Sequence, residues 1–282
     1  MGEKKIAIYE PDRTVKQGYI TLWKENFQDL KENLWLIRQF FFREFKGQYS
    51  QSLLGIIWAF ILPLVTLAIF ILLRSSGLFN VGVIEVPYVI YALLGLSFWQ
   101  LFVTGIVQST NSLVSAGSMI KKVNFPRETL VFASLGNALF SFALQMGIVF
   151  ILFGIYGFFP HWKFLLFPLM IIPILLLTCG LGFIFSLING IIRDLGRILG
   201  LGLTFLLFIT PIAYELPEMG FLATLARINP LYYLSIAPRD LALTGTLSHP
   251  LGYFISCGLS IFVFFYCWMT FHLTETRIPE RL

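Results

Sequence analysis

Residues 53–73 read LLGIIWAFILPLVTLAIFILL, a run without a single charged side chain. An α-helix rises about 1.5 Å per residue and the hydrocarbon core of a bilayer is about 30 Å thick, so about 20 apolar residues cross it. Charge-free runs of the same kind recur at 86–108, 129–160, 164–192, 198–214 and 251–271. We therefore predict six membrane-spanning helices, of which the fifth is the shortest.

The composition restricts the class of protein. The chain is 57% hydrophobic and 12% charged, with a mean hydropathy of +0.81. A soluble globular protein carries about a quarter charged residues, which argues against a soluble enzyme, and disorder requires low hydrophobicity. Segments within lipid must satisfy their own backbone polar groups, and the alternating pattern of a β-barrel is absent. The predicted fold class is an all-α membrane protein.

Lysine and arginine are unevenly distributed between the segments outside these runs. Sixteen of the 20 precede the first run, follow the sixth, or lie in the loops after the second and fourth runs. The other four are Arg74, Lys163, Arg227 and Arg239. The positive-inside rule then places both termini in the cytoplasm. The net charge of +5 follows from this asymmetry, and no basic patch with interleaved aromatics indicates a nucleic-acid partner.

The sequence divides into three regions. Residues 1–29 form a charged cytoplasmic extension without a cleavable signal peptide, and residues 48–282 form the six-span domain. Residues 30–47 predict an amphipathic helix that lies in the headgroup plane with Arg38 and Arg43 toward anionic lipid. The alternative is a helix packed on the protein. Its apolar face repeats at helical spacing: Leu30, Leu34, Ile37, Phe41 and Phe45.

The loop at 111–128 is polar, then basic, and ends Asn124-Phe125-Pro126-Arg127. Because Pro126 limits helix continuation, we predict a short surface helix followed by a turn. The loop either docks a soluble partner or anchors its basic side chains to lipid phosphates.

The segment at 214–250 is too apolar for an ordinary exposed loop. Pro217, Pro230 and Pro238 interrupt it, so we predict short re-entrant helices supported by protein. Tyr232 and Tyr233 suit the membrane interface. The segment's charged residues are expected to pair with one another: Glu215, Glu218, Arg227, Arg239 and Asp240.

No catalytic or metal site is predicted. The three histidines are far apart in sequence and lack metal-ligand spacing. The sequence contains no Gly-Lys dipeptide and therefore lacks the phosphate-binding loop for ATP. The span interiors carry almost no ionisable groups, which disfavours ion coupling. If this chain transports a substrate uphill, the energy comes from another subunit.

Two predicted spans carry neutral polar stripes at helical spacing. They are either the wall of a hydrophilic conduit or facing surfaces that hydrogen-bond to each other, and two adjacent antiparallel spans favour the second interpretation. The stripes consist of Ser97, Gln100, Thr104 and Gln108 on span two and of Ser134, Asn137, Ser141 and Gln145 on span three.

Four sequence segments, in the same order along the chain, resemble the ABC-type polysaccharide export permeases. That family includes O-antigen, capsule and teichoic acid exporters. The first is YSQSLLGIIWAFILPL at 49–64, which is similar to the start of the first span in that family. The second is NFPRETL at 124–130. The others are Arg193-Asp194 with TPIAY at 210–214, and NPLYY at 229–233 with Arg239-Asp240. The resemblance covers the chain from about residue 30 to its end.

The resemblance implies a homodimer in a bacterial cytoplasmic membrane, joined to two ATPase subunits that bind ATP and Mg²⁺, with no cofactor in this chain. It also implies that the helix at 30–46 and the loop at 111–128 dock those subunits. The candidate docking residues are Arg38, Arg43, Ser118, Lys121, Lys122, Phe125, Pro126 and Arg127.

A lipid-linked glycan would pass between the subunits, beside the first and fifth spans, where aromatic side chains contact sugars. This implication supports the packing interpretation of the polar stripes. The conduit candidates are Trp58, Phe60, Phe70, Phe205 and Phe208. The candidate residues of the outer-leaflet segment are Tyr214, Asn229, Pro230, Tyr232, Tyr233, Arg239 and Asp240.

The leading functional hypothesis is the membrane subunit of an ATP-driven exporter of a lipid-linked polysaccharide of the O-antigen type. A teichoic acid or capsule exporter is an alternative within the same family, and an ABC permease for a small lipophilic compound fits the same six-span plan. A membrane enzyme of lipid or sugar transfer is weakened because no cluster of carboxylates or histidines lies near a membrane face.

Overall fold

The computed structural model describes residues 19–50, 55–77, 86–214 and 220–274, and within these ranges the secondary structure is helical, without strands. The all-α prediction is confirmed. The helices in chain order are α1 (Tyr19–Glu32), α2 (Leu34–Ser50), α3 (Trp58–Ser75), α4 (Tyr88–Ser115), α5 (Gly117–Ile120), α6 (Glu128–Tyr156), α7 (Phe167–Ile191), α8 (Leu195–Ile209), α9 (Phe221–Ile228), α10 (Pro230–Leu243) and α11 (Pro250–Thr274). Short 3-10 helices precede α3 (Gly55–Ile57) and α7 (Trp162–Leu166).

Five helical segments of the described chain are long and apolar enough to cross a membrane: Gly55–Ser75, Tyr88–Ser115, Glu128–Tyr156, Trp162–Ile191 and Pro250–Thr274. The fifth predicted span is observed as α8, an apolar helix of only 15 residues. It ends before the predicted run does, because Pro211 disfavours helical geometry at Thr210, which is extended with φ −94° and ψ 110°.

Helix α4 is the centre of the bundle. It packs against α6, α7 and α10. Of the residues in its most apolar stretch 72% are buried, against 17% in the corresponding stretch of α3. Small residues allow the closest approaches. A Cβ atom on Gly180 of α7 would lie 2.8 Å from the Cα of Phe264 in α11, so the two backbones are in direct contact.

The N-terminal region contains two helices rather than an extension and one helix. Helix α1 lies within residues predicted as an extension, and α2 begins at Leu34 rather than at residue 30. Asn33 separates them, and its side-chain amide donates to the carbonyl of Asp29 at 2.7 Å. The 1–18 part of the predicted extension lies outside the described residues.

Helix α2 packs against α6 through residues of its predicted apolar face. The ring of Phe41 would meet a Cβ on Gly136 at 2.9 Å, and the ring centroid of Phe45 lies 4.8 Å from that of Phe140. The structure therefore supports the alternative of a helix packed on the protein. Trp35 is 69% exposed on another face of α2.

The polar stripe on α6 is buried and most of the stripe on α4 is half-buried, but their hydrogen bonds do not join the two helices directly. Ser97 donates to the carbonyl of Leu93. Ser134 likewise donates one turn back in its own helix. Asn137 donates to Glu44 at 3.1 Å and Gln108 to Gln48 at 3.4 Å, so both reach α2 instead.

Candidate docking site and membrane route

The segment between α4 and α6 forms the predicted short helix and turn. Helix α5 is a single turn, and residues 121–127 connect it to α6. Ser118, Lys121, Lys122 and Val123 are exposed. Phe125, Pro126 and Arg127 are half-buried.

Helix α2 and this loop contact each other through aromatic and basic side chains. Phe40 of α2 is buried, and its ring centroid lies 5.1 Å from that of Phe125. The guanidinium carbon of Arg43 lies 4.9 Å from the Phe40 ring centroid, and Arg43 Nη1 lies 3.0 Å from the sulfur of Met119. We call the resulting exposed set the basic surface: Arg38, Arg43, Ser118, Lys121 and Lys122.

Glu128, the first residue of α6, was not among the predicted site residues. Its side chain is nearly fully buried, and Trp268 Nε1 donates to its Oε2 atom at 2.8 Å. Its Oε1 atom lies 2.7 Å from His272 Nδ1. An acidic residue in a first helical turn suits the helix dipole, but its two partners are 140 and 144 residues away.

The conduit candidates occupy different environments on α3 and α8. Phe205 is 71% exposed, and Trp58 and Phe208 are also exposed. Phe60 is half-buried. Phe70 is buried and stacks on Phe208 with ring centroids 6.3 Å apart, so it joins the two helices and is not available to a substrate.

The predicted re-entrant segment contains α9 and α10, and α10 is buried along most of its length. Asn229 caps α10, because its side-chain oxygen accepts from the amide of Leu231 at 3.0 Å. The side-chain amide of Asn229 donates to Thr210 Oγ1 at 2.8 Å, which ties α10 to the end of α8. Pro230 occupies the first turn, where it costs no hydrogen bond.

Arg239 and Asp240 form the predicted ion pair inside the protein. Arg239 Nη2 lies 3.1 Å from Asp240 Oδ1, and both side chains are almost fully buried. Arg239 Nη1 donates to the carbonyl of Ile212 at 2.6 Å, and Ser248 donates to the other oxygen of Asp240. Glu215 and Glu218, the other predicted acidic partners, lie outside the described residues.

Two tyrosines of this segment donate hydrogen bonds to backbone carbonyl groups. The Tyr214 hydroxyl donates to the carbonyl of Phe208, and the Tyr233 hydroxyl donates to the carbonyl of Arg227 at 2.8 Å. Tyr232 is buried, with its ring centroid 5.1 Å from that of Tyr233. These contacts hold the segment together.

Over residues 19–50, 55–77, 86–214 and 220–274, no group of three or more His, Cys, Asp or Glu side chains is placed to hold a metal ion.

A bundle of long apolar helices, with a basic surface at one end and a buried segment of short helices at the other, is the architecture of an integral membrane protein. Residues 36–243 match the sequence model of the ABC-2 type transporter family. The chain belongs to that family.

Curated relatives are similar to this chain over most of its length. An O-antigen export system permease protein RfbA of Klebsiella pneumoniae is 28% identical over 212 residues, covering 73% of this chain and 80% of the relative. The protein of the same name from Myxococcus xanthus is 29% identical over 174 residues, covering 62% of this chain and 66% of the relative. A second Klebsiella pneumoniae RfbA is 26% identical over 212 residues, covering 73% of this chain and 80% of the relative.

Proposed function

We propose that this chain is the membrane-spanning permease subunit of an ATP-driven exporter that moves a lipid-linked polysaccharide of the O-antigen type across the bacterial cytoplasmic membrane. The observation that carries the proposal is the family match over residues 36–243. The names of the three relatives support the substrate class. The chain acts as a transport subunit and not as an enzyme.

The energy source is a separate ATPase subunit that binds ATP and Mg²⁺. This chain contains no Gly-Lys dipeptide and so lacks the usual phosphate-binding loop. The basic surface is the docking site for the ATPase, because exposed Lys121 and Lys122 lie beside exposed Val123. A partner that fits it carries acidic side chains around a small apolar patch.

Two copies of the chain and two ATPase subunits form the working exporter. Helix α3 is much less buried than α4, and both α3 and α8 expose large apolar side chains such as Leu62 and Phe205. These helices line the route of the glycan between the two copies, and lipid covers the remaining apolar faces. Both termini and the basic surface face the cytoplasm, as the positive-inside rule requires.

The experiment combines gene deletion with purification. Deletion of the gene should make a lipid-linked glycan accumulate inside the source cells, and sugar analysis of that glycan separates O-antigen from capsule and teichoic acid. Affinity purification of the tagged chain in mild detergent should recover an ATPase subunit. If no ATPase is recovered and no glycan accumulates, the proposal is wrong.

The docking site is tested with charge reversal. We expect Lys121→Glu combined with Lys122→Glu to reduce ATPase recovery and export while membrane insertion stays normal. The control reverses an exposed lysine of α1 outside the predicted docking segment, Lys24→Glu, and should leave both measurements unchanged. Equal ATPase recovery with the double variant and with the control would show that the docking site lies elsewhere.

A further inference from the structure

The carboxylate of Glu128 connects the basic-surface loop to the far end of the chain. Glu128 directly follows Arg127, the last residue of that loop. The turn between them is tight, since both the amide and the hydroxyl of Thr129 donate to the carbonyl of Pro126, at 3.2 and 2.6 Å. A displacement of residues 121–127 would therefore also displace Glu128.

Trp268 is the centre of an aromatic cluster to which four helices contribute. Its ring lies 5.5 Å from Trp23 of α1, 5.8 Å from Phe132 of α6 and 6.4 Å from Phe183 of α7, measured between centroids. Trp268 itself belongs to α11 and is 1% exposed. Its indole N–H donates to Glu128, so the one polar atom of this ring is held by the residue that follows the loop.

A carboxylate is a poor choice if packing is the only requirement. Apolar residues of similar volume often replace a buried charged pair without loss of stability. A carboxylate differs from an apolar side chain because it can exchange one hydrogen-bond donor for another or for water. Glu128 accepts from Trp268 and faces His272, so a shift of the loop would change both contacts.

We propose that Glu128 is a positioning residue that couples movement of the loop at 121–127 to α11 and α1 through Trp268. This inference rests on the proposed function, in which an ATPase subunit docks on the basic surface. When the docked subunit shifts the loop, Glu128 changes its contacts with Trp268 and His272, and the aromatic cluster moves α11 relative to α6. Glu128 contacts neither nucleotide nor glycan in this arrangement.

The test compares transport with ATP hydrolysis in the intact complex of permease and co-purified ATPase. Trp268→Phe keeps an aromatic ring and removes the donor, and Glu128→Ala removes the acceptor. We expect either variant to assemble with the ATPase and hydrolyse ATP, while the amount of glycan exported per ATP falls about tenfold. Because both changes break the same contact, the double variant should lose no more than Glu128→Ala alone.

Matched controls use residues away from this cluster. Trp162→Phe removes an indole N–H from a ring that is exposed near the start of α7, and Asp194→Asn removes the charge of an exposed carboxylate directly before α8. Both should retain the export per ATP of the unmodified complex. Glu128→Gln still accepts from Trp268 and should recover most of the loss seen with Glu128→Ala.

Two results would overturn the inference. One is a parallel fall of ATPase recovery, ATP hydrolysis and export in Trp268→Phe and Glu128→Ala, which indicates a purely structural role. The other is an unchanged export per ATP in both variants. Failure of the proposed function is distinguishable, because the unmodified chain would then recover no ATPase or export no glycan.

Discussion

The guanidinium carbon of Arg239 lies 4.0 Å from the centroid of the Tyr91 ring. The same guanidinium pairs with Asp240 and donates to the carbonyl of Ile212. A cation that is buried in a membrane protein is costly unless it is paired and hydrogen-bonded. Arg239 therefore joins three parts of the chain: α4, the turn after α8, and α10.

Replacement of Arg239 should destabilise the protein strongly. Arg239→Ala leaves Asp240 buried without its cation, and removal of one partner of a buried pair costs about 3–5 kcal/mol. The matched control is Arg197→Ala, because Arg197 also has a neighbouring aspartate, Asp194, at 3.8 Å, but both are exposed. We expect Arg197→Ala to lower the free energy of unfolding by less than about 1 kcal/mol. Thermal unfolding in detergent measures both, and equal losses would contradict the assignment.

A second prediction concerns the contact between α7 and α11. Gly180→Ala places a methyl group 2.8 Å from the Cα of Phe264, where only a backbone shift relieves the clash. We expect this clash to lower the free energy of unfolding by about 1–3 kcal/mol. Gly258→Ala in α11 meets no atom within 4 Å and should be neutral or gain up to about 1 kcal/mol from helix propensity. The unfolding temperatures of the two variants should thus move apart, and a stable Gly180→Ala would show that the helices can separate.

The third prediction is a pH dependence at Glu44. Burial raises the pKa of the Glu44 carboxyl, although Arg43, the hydrogen bond from Asn137 and the nearby hydroxyl of Ser134 act in the opposite direction. The folded protein therefore binds this proton more tightly than the unfolded chain. The resulting stabilisation is present at low pH and is lost as the pH rises through the raised pKa.

Glu44→Gln should therefore raise the unfolding temperature at pH 8 and change it little at pH 4. Glu32→Gln, a substitution of an exposed residue, serves as the control and should not alter the pH profile. A Glu44→Gln variant that is less stable at pH 8 than at pH 4, relative to the unmodified chain, would reverse the sign and contradict the prediction.

The fourth prediction separates the glycan route from the lipid-facing surface. Phe205 and Phe254 are both exposed phenylalanines, on α8 and α11 respectively. If α8 lines the route, Phe205→Ala lowers export several-fold at unchanged expression and ATPase recovery, while Phe254→Ala does not. Quantification of glycan at the cell surface checks both, and the opposite ranking would assign the route to α11.

Five of the six predicted spans are helices long enough to cross a membrane, because charge-free length defines them, whereas the fifth predicted span is the 15-residue helix α8. The sequence indicated that the charged residues at 214–250 pair with one another, but not that Arg239 and Asp240 form a pair or that this pair is buried. Helix α1 could not be predicted in this way. Its aromatic residues Trp23 and Phe27 pack on Trp268 of α11, and the stability of such a helix comes from a surface more than 200 residues away in sequence.

The accessibility of the candidate lysines could be predicted from the sequence, whereas the neighbours of the candidate aromatic residues could not. Lys121 and Lys122 are accessible as expected, whereas Phe70 is buried against Phe208. The sequence shows that a phenylalanine lies on a spanning helix but not which neighbour it faces. Glu128 was missed for a related reason, because its significance depends on Trp268 and His272, which only the folded chain brings near.

The shortness of α8 has a consequence for the surrounding membrane. Fifteen residues extend over about 22 Å, roughly 8 Å less than an average hydrocarbon core. The missing depth is made up by protein, because Asn229 and α9 adjoin the end of α8. If α8 lines the glycan route, the apolar wall of that route is shorter than the helices that span the bilayer. An amphiphile that moves beside α8 then crosses a shorter apolar stretch than one beside the longer helices.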